Sequence, residues 1–133
     1  MRRLLLLPLL LFTGCFSADG LGDEIAVDEP RTVRLDGRQL ILDGFAGDVR
    51  LTAVPGLEDA EVLFTKRASG VAEAQAEGRL AQIHIRQAED DELVQFVWRT
   101  DLEGAGTVDA EVRLPLDADV VVRLGTGHLD VTG

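Results

Sequence analysis

The chain has 133 residues, with 24 acidic against 13 basic side chains, a net charge of −11 and a single cysteine. Such a charge repels phosphate backbones and argues against a nucleic-acid partner. One cysteine excludes an intrachain disulfide, so a domain of this length must be held by packing alone.

Met1-Arg2-Arg3 is a short positive segment followed by an apolar run, Leu4–Phe12, interrupted only by Pro8. Nine residues of helix span about 14 Å, well short of a hydrocarbon core of about 30 Å, so the run reads as an export signal and not a membrane span. Leu11-Phe12-Thr13-Gly14-Cys15 resembles a bacterial lipoprotein signal box. The small Thr13 and Gly14 admit a peptidase before Cys15, whose thiol takes the lipid. The alternative, an ordinary signal cut nearby, leaves an unpaired thiol in an oxidising compartment. The expected organisation is therefore a signal over residues 1–14, with Cys15 as the lipidation site. Acyl chains such as palmitate would anchor the protein to a membrane without crossing it. Phe16, where an aspartate would retain the protein at an inner membrane, favours the outer membrane of a two-membrane bacterium. Removal of residues 1–14 takes away Arg2 and Arg3 and no acid, which moves the net charge from −11 to −13.

Residues 15–30 are rich in acids and poor in apolar groups, and their composition predicts a flexible tether. A single β-rich domain is expected over residues 31–133. Val33 and Leu35 alternate, Asp36-Gly37 reads as a turn, and Leu40-Ile41-Leu42 as a buried strand. Val49, Leu51 and Ala53 face inward, Pro55-Gly56 breaks the chain, and Ala60, Val62 and Phe64 form the next inner face. Val71–Leu80 is the one helix-like stretch, with Ser69 as a possible cap and Gly78 as its end; a polar loop is the alternative. Ile83 and Ile85, then Val94, Phe96 and Trp98, predict a hairpin across Glu89-Asp90-Asp91-Glu92. Its second strand is apolar on both faces, which places it centrally with Trp98 in the core. Val108, Ala110, Val112 and Leu114 alternate up to Pro115, Asp117 and Asp119 suit a turn, and Val120, Val122 and Leu124 resume the alternation. Leu129 and Val131 form a last short strand.

Candidate chemistry is sparse. His84 shares an outer face with Gln82 and Arg86, and His128 sits in a glycine-flanked turn. No convergent partners for a metal or for acid–base work are visible near either. Gly125-Thr126-Gly127 lacks the third glycine and the following helix of a dinucleotide loop. Glu89–Glu92 and the pair Asp117 and Asp119 lack the spacing of a calcium loop. Ser17 and Ser69 are the serines beyond the signal, and neither lies in a nucleophile elbow. No cofactor, metal or catalytic residue is expected.

Gly47-Asp48-Val49-Arg50-Leu51-Thr52 and Gly127-His128-Leu129-Asp130-Val131-Thr132 share one pattern 80 positions apart. With Leu40–Val54 and the phrase LPLDADVVVRLGTGHLDVTG, residues 32–133 resemble the bacterial putative-adhesin domains of unknown function. Those are β-rich envelope modules built of glycine-aspartate coils. The resemblance implies an all-β fold, short strands in an antiparallel sheet or sandwich passing into β-solenoid-like coils, with at most one short helix. It further implies a non-catalytic, adhesin-like or spacer module of the cell envelope, and it supplies no catalytic residues. Two other readings are an envelope-stress sensory or scaffolding ectodomain and, below both, a cell-wall glycan hydrolase. The final strand, residues 127–133, is expected to pair with Leu40–Val54 while leaving an edge open to self-association or a protein partner.

Overall fold

The computed structural model describes residues 23–100 and 106–133; Cys15 and the signal segment lie outside the described residues. Among these residues, nine strands and one helix follow one another as β1 (Asp23–Arg34), β2 (Gln39–Ala46), β3 (Val49–Ala53), β4 (Asp59–Gly70), α1 (Glu73–Leu80), β5 (Ile83–Glu89), β6 (Leu93–Thr100), β7 (Thr107–Leu114), β8 (Val120–Thr126) and β9 (Leu129–Thr132). They form two facing sheets. Sheet I has the order β1-β4-β7-β3-β9 and sheet II the order β5-β6-β2-β8.

The alternation read from the sequence sets the faces. Leu40, Leu42, Val94, Phe96 and Trp98 of sheet II meet Val49, Ala60, Val62, Phe64, Val108 and Val112 of sheet I in one core. Phe64 lies edge-on to both Phe96 and Trp98, with ring centroids 5.3 Å apart in each case. Trp98 is fully buried, as its strand's two apolar faces predict. Gly44 makes room for it, because a Cβ there would lie 2.0 Å from the indole. β6 is central in its sheet, and β5 and β6 form the expected antiparallel hairpin.

Strand direction differs from the expectation. The sheets are mixed, not antiparallel: β1/β4, β4/β7 and β5/β6 are antiparallel, whereas β7/β3, β3/β9, β6/β2 and β2/β8 are parallel. The physical reason lies in the connections. β2 runs directly into β3, β6 leads to β7, and β8 runs into β9, each crossing from sheet II to sheet I. Three such two-strand rungs stack side by side in the same direction, in the spatial order β6/β7, β2/β3, β8/β9. A solenoid lays down its coils in chain order. Here the later rungs flank the earlier one on both sides, and solenoid-like coiling is not seen among the described residues.

Two local expectations also change. Asp23–Pro30, expected as part of an acidic tether, belongs to β1 and pairs with β4. Two of its acids are engaged: Glu29 bonds Lys66 across the strand pair at 2.6 Å and Arg31 on its own strand at 3.4 Å, and Asp28 accepts from the Thr65 hydroxyl at 2.9 Å. The helix is present, but Ala72 is its N-cap residue without a side-chain cap, Ser69 lies in β4, and Gly78 is inside the helix. Gln75 turns its Oε1 back to accept the Val71 N–H at 2.6 Å, just ahead of the helix. α1 packs on β4 and β1, so it covers the overhang of the longer sheet at that end.

Candidate functional site

The two ends of the stacked rungs are not equivalent. At the α1 end, Lys66, Glu29 and Arg31 link up, and Arg31 reaches Gln87 of β5 at 3.1 Å, which closes the gap between the sheets with polar groups. At the opposite end β8 and β9 are both edge strands. Leu116, Leu129 and Val131 are exposed there, the last by 67%. Val120, Val122 and Leu124 are only half-buried against the core. A cavity of about 470 Å³ opens between the sheets, lined by Leu51, Leu114, Val120, Val122, Leu129 and Val131 among others. This end combines apolar side chains with main-chain groups that have no neighbouring strand, a combination that suits binding by strand addition.

The glycine corners position this end. Gly47 and Gly127 take φ of 126° and 133°, a region glycine occupies at little cost. Space imposes the same choice, since a Cβ at Gly47 would lie 1.8 Å from the Val108 carbonyl oxygen, and one at Gly127 1.8 Å from that of Gly47. Beside the corners runs a ladder that sequence reasoning missed. Asp109 accepts the Asp48 N–H at 2.9 Å, and Asp48 in turn accepts the His128 N–H at 3.1 Å. Arg67 holds the second oxygen of Asp109 at 3.2 Å. Each carboxylate thus serves the corner amide of the next rung outward, and His128 occupies the corresponding place in the outermost rung. The 80-residue echo was the available signal: Leu40 pairs with Val120 and Thr52 with Thr132, so the two copies lie side by side in register. Thr52 and Thr132 hydroxyls meet at 3.3 Å. The last strand pairs with β3, within the segment expected of it.

The remaining candidates are dispersed. His84 is exposed on β5 opposite Arg99. His128 lines a cleft of about 500 Å³ on the outer face of sheet I with Asp48, Arg50, Asp109 and Asp130. Asp117 and Asp119 line another cleft with Asp36 and Glu58. Within Glu89–Glu92, Asp90 accepts the N–H groups of Glu92 and Leu93 at 2.8 and 2.9 Å, which shapes the hairpin turn and holds its carboxyl below the usual range. Glu29 is also lowered, first by its hydrogen bond to Lys66, against the opposing effect of burial. Gly125 lies within β8 and Gly127 forms the corner between β8 and β9, a turn between strands with no helix after it. Among the described residues, no group of three or more His, Cys, Asp or Glu is placed to hold a metal ion, and no helix is long and apolar enough to cross a membrane.

No family model and no curated protein matches the sequence. Among solved structures, the chain is similar to a putative cell adhesion protein from Clostridium sporogenes ATCC 15579, at 14% identity and a TM-score of 0.43. The match covers 80% of this chain and 51% of that one, so the chain spans about half the length of that structure.

Proposed function

We propose that the chain is a lipid-anchored, non-catalytic, adhesin-like binding module of the bacterial cell envelope that offers its open β8/β9 end to a protein partner. The observation that supports this most directly is the layout of sheet I. β1, which follows the N-terminal segment, is one edge, and β9 is the other. With neighbouring strands about 4.8 Å apart, the four steps between them separate anchor side and open side by roughly 19 Å. Asp23 begins β1 eight positions after Cys15, a stretch that reaches at most about 28 Å when fully extended. A lipid on Cys15 would therefore hold the fold close to its membrane by the edge farthest from the open end. The side-by-side glycine-corner rungs support the adhesin-domain resemblance.

The test has two readouts. Radiolabelled fatty acid is expected to enter the wild type and not Cys15→Ser, and label persisting in the mutant would overturn the anchoring. Crosslinking from position 129 or 131 in intact envelopes is expected to trap a protein, and crosslinks at positions in α1 instead would overturn the choice of end.

A further inference from the structure

Sheet II ends on β8, and the pattern of that edge specifies what can complete it. Leu40 donates its N–H to the Asp119 carbonyl at 2.8 Å. In a parallel ladder the direction alternates, so the main-chain groups of Asp119, Val121 and Arg123 turn toward β2, and those of Val120 and Val122 turn toward the open side. The side chains alternate too: Val120 and Val122 lie beside Leu40 and Leu42 on the core face, while Val121 and Arg123 lie beside Ile41 and Asp43 on the outer face. Asp43 is already engaged by Arg99 at 3.3 Å. Arg123 is exposed and has no ion-pair partner among the described residues.

We propose that β8 pairs antiparallel with β8 of a second copy of this chain about a two-fold axis at Val121, joining two four-stranded sheets into one of eight strands. An antiparallel pair sets residues of one face opposite each other. Centred on Val121, the axis sets Val120 opposite Val122 of the second copy, and these exchange main-chain hydrogen bonds twice over. Val121 meets its own symmetry mate. Asp119 falls directly opposite Arg123 of the second copy, in the closer, non-hydrogen-bonded type of pair, and symmetry makes two such ion pairs. Charge complementarity at β8 thus selects a second copy, although the whole chain carries −11. Centring on Arg123 would instead set guanidinium against guanidinium. β9 is the weaker candidate, because it offers four residues, and a two-fold axis at Asp130 opposes two carboxylates. The paired edges would also bring the two open ends together and cover Leu116, Leu129 and Val131.

The inference stands independently of the lipid anchor. Sedimentation equilibrium of the full-length chain, in a density-matched detergent, tests it through charge exchange. The wild type is expected to dimerise. Asp119→Arg and Arg123→Asp should each weaken the dimer at least about tenfold, since each variant sets like charges opposite each other twice. The double variant Asp119→Arg/Arg123→Asp should restore it. Circular dichroism and the melting temperature check that the single variants fold. A monomeric wild type, or a dimer indifferent to the single variants, or single variants that weaken it without recovery in the double, would overturn the proposal.

Discussion

The β2/β3 and β8/β9 rungs have nearly the same sequence pattern, the same glycine corner and the same backbone course, yet opposite fates. In the first, Leu40, Leu42 and Val49 are buried to 1% exposure or less; in the second, Leu129 is 47% and Val131 67% exposed. The difference is wholly one of neighbours. β2/β3 has a parallel rung on each side, and β8/β9 has one on a single side. Local pattern therefore specifies the rung, and its place in the stack specifies what the rung contributes: core in one case, an open edge in the other.

Truncation at matched positions should show this most strongly. Leu42→Ala is expected to cost about 2–5 kcal/mol, whereas Val131→Ala should stay within about 0.5 kcal/mol, both by urea unfolding at dilutions where the chain is monomeric. Comparable losses would mean that the edge rung is covered in solution. The corners come next. Gly47→Ala should cost more than about 2 kcal/mol, because the new methyl meets the Val108 carbonyl and φ is unfavourable. Gly127→Ala meets the same kind of obstacle, but β9 has no outer neighbour and can move away, so a smaller loss is expected. Equal melting temperatures for the two variants would contradict that account. Asp48→Ala, which leaves the His128 amide unserved, should cost about 1 kcal/mol, and His128→Ala close to nothing. A modest, pH-dependent effect is expected at the covered end. Glu29 has its folded-state pKa lowered, so its contribution is present at neutral pH and fades as pH falls through the carboxylate range. Glu29→Gln should therefore lower stability at neutral pH by less than about 1 kcal/mol and flatten the acid side of the pH profile.

Faces were legible in the sequence, and directions were not. Period-two alternation placed Val62, Phe64, Val94, Phe96 and Trp98 in the core, because side-chain orientation along a strand is a local property. Whether β2 lies parallel to β6 depends on how the chain turns at Gly47 and on what arrives 54 residues later, neither of which alternation encodes. The acids of residues 23–30 look like a solvated tether until Lys66 and Arg31 are set beside Glu29. Gly78 was read as a helix end because glycine weakens an isolated helix, but packing of the helix on β4 extends it to Leu80. At the open end, the echo of Gly47–Thr52 in Gly127–Thr132 disclosed a relationship without showing that the two copies touch. The ladder from Asp109 through Asp48 to His128 needs that contact, so single residues could not announce it.

The position of β2/β3 in the stack also bears on how the chain reaches its fold. Both flanking rungs are synthesised after it, β6/β7 about 55 residues later and β8/β9 a full 80. While the chain emerges, Leu40-Ile41-Leu42 has no partner strand, and its pairing cannot be completed until Val94–Phe96 and then Val120–Val122 exist. Assembly of this sort closes long loops before it gains contacts, which places it in the slow, millisecond-to-second class of folding. During that interval Arg38 and Asp43 flank the apolar run as charged gatekeepers, delaying aggregation of a segment whose partner strands are made later.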